Sequence, residues 1–166
     1  MKKQMRMGKT VTRLPVSDDH TCFGCGPANP HGLHMTFQTD GEVVFSRLTV
    51  PEHLRGWNNL VHGGVISTIL DEVMSWAAIH LIKSIIVTRT ISVDFIKPVL
   101  TGQQLTAEAR ITEIRSRKEA LLQGELYNDE RVLCARSLGT FALLKPKVAE
   151  KLGIVTAEEV QHFLGQ

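Results

Sequence analysis

Between positions 62 and 83 the apolar residues fall at Val65, Ile66, Ile69, Leu70, Val73, Met74, Ala77, Ala78, Leu81 and Ile82. Steps of three and four residues bring these positions onto one wide stripe of an α-helix, so the segment reads as a long and largely buried helix. The opposite stripe is small or polar, with Gly64, Ser67, Thr68, Asp71 and Ser75. Elsewhere the period is two. Residues 33–39 and 42–50 alternate as strands, and Asp40-Gly41 between them is a strong hairpin signal. After Lys83, residues 85–97, 103–114, 120–128 and 131–144 are β-rich and joined by short connections. Short connections imply antiparallel neighbours, because a parallel pair needs a long crossover. One buried helix preceded by a hairpin and followed by four strands is an α+β layout. Residues 15–32 and 51–61 read as loops, and residues 156–164 as an amphipathic helix opened by the capping signature Thr156-Ala157-Glu158-Glu159.

Length and charge narrow the picture only a little. With 166 residues one domain is expected, and the net charge of +2 gives no reason to expect a nucleic-acid or membrane partner. Lys2, Lys3, Arg6 and Lys9 make a basic arm that reads as a solvated tail; no signal peptide follows it, and no apolar run approaches bilayer length. Three cysteines fit a reducing compartment, so a cytoplasmic location is expected.

Chemistry concentrates at the long helix. Gly63 and Gly64 leave its first turn bare, and the N–H groups there, at the positive end of the dipole, can hold a developing negative oxygen. Asp71 lies seven residues after Gly64 on the same face, where it suits a general base or a nucleophile. The same residues also suit a loop end and a solvated carboxylate. Cys22-Phe23-Gly24-Cys25 has the spacing of a zinc or redox motif, and His20, His31 or His34 could complete a metal site only irregularly. With no second cysteine pair and no surrounding βαβ pattern, packed cysteines and no metal are expected.

His62-Gly63-Gly64 followed by Leu70-Asp71, in this helix context, resembles the central-helix motif of hotdog-fold thioesterases of the PaaI, phenylacetic-acid-degradation type. Cys22-Phe23-Gly24-Cys25-Gly26-Pro27-Ala28-Asn29-Pro30-His31-Gly32-Leu33 resembles the segment that leads into the first strand of many bacterial members. The resemblance covers residues 22–145. It implies a single hotdog domain, a long central helix wrapped by an antiparallel β-sheet, with an N-terminal arm over residues 1–21 and a C-terminal helical extension over residues 146–166.

The resemblance further implies hydrolysis of an acyl-coenzyme A substrate to free acid and coenzyme A, with no separate cofactor. Asp71 would be base or nucleophile, the Gly64 N–H the oxyanion donor, and Thr88 would hold the attacking water. His62 would position the substrate or stabilise the turn. Gly63, Asn58 and Trp57 would line the substrate channel, although Trp57 also suits a core edge, and Arg117 and Lys118 would meet coenzyme A phosphates unless they are a solvated hairpin tip. A homodimer is expected, or a homotetramer built as a dimer of dimers. A non-catalytic acyl-coenzyme A binder and a hotdog hydratase or dehydratase are the alternative readings.

Overall fold

The computed structural model describes residues 10–165; the basic arm predicted at Lys2, Lys3, Arg6 and Lys9 lies outside them. The strands are β1 (Thr12–Leu14), β2 (Phe37–Thr39), β3 (Val44–Thr49), β4 (Ile85–Phe95), β5 (Gln104–Ser116), β6 (Glu119–Tyr127) and β7 (Leu133–Leu144). They form one sheet in the order β1-β2-β3-β5-β6-β7-β4. Each neighbouring pair is antiparallel. The helix α1 (Gly63–Ala77) lies across this sheet and contacts β3 through β7.

The apolar stripe predicted for α1 is the one it buries: Val65, Ile66, Ile69, Leu70, Val73, Met74 and Ala77 face the core, joined by Trp76. Phe37 stacks on Trp76 with ring centroids 4.8 Å apart, so β2 closes one side of the helix. The helix continues into a wider turn over Ala78–Ile82 and stops at Lys83, whose left-handed backbone turns the chain into β4. By length and a mean hydropathy of 1.5, Gly63–Ile82 could cross a bilayer. The expectation of no such stretch was therefore wrong on composition. Its place inside the wrap of the sheet accounts for the apolar content, since a helix packed on several strands is apolar over much of its circumference.

The predicted hairpin forms with Gly41 at φ 88° and Asp40 Oδ1 accepting the Glu42 and Val43 N–H groups, which shortens both strands to β2 and β3. Two elements were not predicted: β1, which pairs only with β2, and α2 (Pro146–Lys151). The helix α3 (Ala157–Leu164) forms behind a complete Thr156–Glu159 capping box, and its Phe163 ring meets Trp76 edge-on at 5.7 Å. The C-terminal extension thus docks on the same domain, over the back of α1.

β4 is the free edge of the sheet on its side, and it is long. Val87, Ile91 and Phe95 remain exposed on it, an apolar edge strand of the kind that pairs with another chain unless protected.

Candidate active site

Asp71 sits in the middle of α1, half-buried, opposite the start of β4. Thr88 Oγ1 donates a 2.9 Å hydrogen bond to Asp71 Oδ1. Burial raises the Asp71 carboxyl above the ordinary aspartate range; the Thr88 hydroxyl pulls the other way, and Cys22 adds to the rise. With Thr88 on one oxygen, the other meets no hydrogen-bond donor among the described residues and can take a proton from water. The register shift between Thr88 and Thr90 belongs to this geometry, because it changes which side chains of β4 face the helix.

At the other end of the helix, the position expected for the oxyanion donor needs correction. The Gly64 N–H donates to His62 Nδ1 at 2.9 Å, so His62 is the N-cap of α1 and Gly64 is its satisfied donor. The cap arises because His62 holds an extended backbone, φ −62° and ψ 137°, which aims its ring back at the first turn. Val65 and Ile66 N–H groups close on the His62 carbonyl. The Gly63 N–H, one position earlier, meets no acceptor among the described residues. Gly63 also lines an open cavity of about 380 Å³ with Ile66, Leu60, Val61, Phe95 and Pro98. Apolar walls with an unpaired N–H at a helix start can hold an acyl carbonyl. A smaller hollow of about 100 Å³, between β1 and the loop before β2, holds neither Asp71 nor Gly63.

The two ends do not meet within one chain. Asp71 follows Gly63 by eight residues, which is about 12 Å of axis and about 80° of turn. Asp71 is absent from the cavity lining. Along β4 the helix start lies against Phe95, and the carboxylate against Thr88. The expectation that carboxylate and donor look at one space therefore fails inside a single protomer.

Trp57 is 86% exposed, so it caps no core edge. Asn58 is exposed with a left-handed backbone in the turn closed by the Leu60 N–H on the Trp57 carbonyl. Neither lines the cavity. Arg117 and Lys118 form the exposed turn between β5 and β6. Glu119 just after them pairs with Arg89 at 2.8 Å, so the basic turn lies at the Thr88 end of β4, away from the cavity at Phe95.

One carboxylate was passed over by sequence reasoning. Glu72 faces away from the β4 edge, toward the loop of Cys22 and Cys25, and Cys22 Sγ lies 3.4 Å from its Oε1. Burial first, and then the Cys22 charge, push the Glu72 carboxyl up to about 8. Hydrogen bonding between the two thiols lowers Cys22 and, together with burial, raises Cys25. The signal available in sequence was the C-x-x-C spacing. What it lacked was the helix position that completes the cluster.

Comparison with known proteins agrees with this architecture. Residues 58–135 match the family described as Thioesterase superfamily. An uncharacterised protein of Schizosaccharomyces pombe is 31% identical over 106 residues, 61% of this chain and 59% of that protein. The acyl-coenzyme A thioesterase THEM4 of Rattus norvegicus is 28% identical over 94 residues, 57% of this chain and 40% of that protein. The matched regions therefore span less than two thirds of either relative. Among solved structures, the PaaI protein of the E. coli phenylacetic acid degradation operon superposes with a TM-score of 0.62 at 19% identity, covering 68% of this chain and 81% of its own. A hypothetical thioesterase of Streptococcus pneumoniae with coenzyme A superposes with a TM-score of 0.59 at 18% identity, covering 63% and 80%. At these identities the structures share the hotdog fold.

Proposed function

Because residues 58–135 match the Thioesterase superfamily, we propose that the chain hydrolyses acyl-coenzyme A thioesters, in a site that two copies of the chain build together. The observation that carries the proposal is the separation just described. The Gly63 N–H at the helix start, without an acceptor among the described residues, and the Thr88-bound Asp71 at mid-helix stand apart on α1, and both border β4, whose outer edge is unpaired.

Antiparallel pairing of β4 with the same strand of a second copy, about a two-fold axis between Ile91 and Ser92, sets Thr88 of one chain across from Phe95 of the other. The helix start and cavity of one protomer then face the Asp71 of its partner, and the exposed Val87, Ile91 and Phe95 become interface. Such a dimer has one continuous sheet and two equivalent sites.

In each site the acyl group enters the cavity lined by Ile66 and Phe95, and its carbonyl oxygen accepts from the Gly63 N–H. Asp71 takes a proton from water, and the resulting hydroxide attacks the thioester carbon. Negative charge gathers on the oxygen held at the helix start, where the dipole favours it. The C–S bond then breaks, and the coenzyme A thiolate leaves to be protonated. The relatives support the substrate class: the rat protein carries the name acyl-coenzyme A thioesterase, and the Streptococcus pneumoniae structure is described with coenzyme A. Arg117 and Lys118 meet substrate phosphates from the Thr88 end.

The test is release of free thiol from short, medium, long and aryl acyl-coenzyme A substrates, read with a thiol-reactive dye. Wild type should release thiol from at least one class, and Asp71→Asn should not. Binding of acyl-coenzyme A without release across the panel would contradict hydrolysis.

A further inference from the structure

The flank of α1 opposite β4 carries a second cluster that hydrolysis does not use. The imidazole of His20 and the sulfurs of Cys22 and Cys25 each bring one ligand atom to within 4.8 Å of the others. Glu72 reaches toward this group from α1, with its Oε1 at 3.4 Å from Cys22 Sγ. Two thiols and an imidazole thus face one another in a half-buried spot, with the Glu72 carboxylate against the Cys22 sulfur.

The backbone around them is shaped for sulfur. The Gly24 N–H points at Cys22 Sγ from 3.4 Å. The loop closes through Gly26 N–H to the Cys22 carbonyl, Ala28 N–H to the His20 carbonyl and Met35 N–H to the Gly24 carbonyl, so all three loop donors hang on one pinned scaffold. A Cβ at Gly24 would lie 2.2 Å from Glu72 Cγ, and one at Gly26 would lie 2.4 Å from the Cys22 backbone nitrogen. Only glycine lets the carboxylate come this close to the sulfurs.

We propose that His20, Cys22 and Cys25 bind one Zn²⁺ ion, with Glu72 turning in from beside Cys22 as the fourth donor, and that this ion fastens the loop of residues 20–26 to the back of the helix that carries Asp71. Thiolate and imidazole donors select a borderline-soft cation over calcium or magnesium, and four donors complete a closed tetrahedral site. In such a site, sulfurs on zinc stand about 3.8 Å apart. The His20, Cys22 and Cys25 donors therefore need only a small contraction about the ion, and Glu72 a side-chain rotation. The Gly24 N–H, aimed at the Cys22 sulfur, would hold that thiolate in place as an outer-shell donor. A closed site leaves no position for substrate, so the ion is structural. The inference does not depend on the thioesterase reading.

Metal analysis of the full chain, purified without chelator, tests it. About one zinc per chain is expected, falling to background in Cys22→Ser and Cys25→Ser. Where those variants fail to fold, wild type titrated with Co²⁺ after zinc removal gives the answer by itself: thiolate-to-cobalt charge transfer and tetrahedral visible bands should grow and saturate at one equivalent. Glu72→Gln should weaken zinc by about 10–100-fold in competition with a chromophoric chelator. Two outcomes overturn the site. One is a reduced chain that takes up neither Zn²⁺ nor Co²⁺. The other is a Cys22–Cys25 disulfide, two hydrogens lighter by intact mass, that persists in the reduced cytosolic extract.

Discussion

Asp71 and Glu72 are neighbours in sequence and differ by one methylene, yet α1 turns them about 100° apart into unlike surroundings. Asp71 faces the open β4 edge, holds a single hydroxyl donor in Thr88 and keeps its second oxygen free. Glu72 faces the loop before β2 and touches Cys22, beside the group that Cys22 forms with Cys25 and His20. Burial raises both carboxyls. What separates them is access. A carboxylate at an open edge can exchange protons with a water, whereas one enclosed by sulfur and imidazole is suited to hold a cation. Residue type sets what a group can do, and helix phase sets which of those things it does.

The comparison is broken most directly by Asp71→Asn, which keeps shape and removes the base. Turnover should fall by about 10²–10⁴-fold with the fold intact by circular dichroism. Glu72→Gln should cost at least about tenfold less turnover than that, while taking the larger toll on metal content; equal losses would erase the distinction between the two flanks. Gly63→Pro probes the donor end. Position N1 of a helix accepts proline, and His62 already has the extended backbone that must precede one, so the variant deletes the N–H with little change to α1. A loss of about 10²–10³-fold in kcat is expected.

Thr88→Ala sharpens the Asp71 side. Loss of the donated hydrogen bond raises the Asp71 carboxyl further, and the base works only when ionised. The acid limb of the pH–rate profile should therefore move to higher pH, with kcat down by about tenfold and both recovered in Thr88→Ser. The smallest effect belongs to His62→Ala, which removes the cap on the Gly64 N–H. It should cost about 1 kcal/mol of stability, a fall in Tm of about 2–4 °C, restored by His62→Asn.

Much of the fold could be read from periodicity alone. The stripe from Val65 to Ala77 and the two-residue alternation after Lys83 are strong because burial on one face repeats over many residues. β1 escaped because three residues on an edge, Thr12–Leu14, carry no period, and α2 because six residues after Lys145 make too short a window. At the site, spacing pointed to Asp71 and to the helix start. It could not say which N–H was free, since that depends on how the His62 ring turns onto Gly64. Nor could it show that the two ends stand apart, which follows from α1 and β4 running side by side. The thiol cluster was illegible because its fourth member lies fifty residues on in the chain, on a face that only packing defines.

The shared site stands or falls on hybrids of two crippled chains. Asp71→Asn and Gly63→Pro, carrying different tags and co-expressed, can be purified as the doubly tagged dimer. One of its two sites then combines an intact Asp71 with an intact Gly63 from the other chain. The account predicts thiol release at about half the wild-type rate per dimer, from two variants that are each nearly inactive alone. A hybrid dimer as inactive as its parents would contradict it, because a site contained within one protomer gains nothing from such a partner.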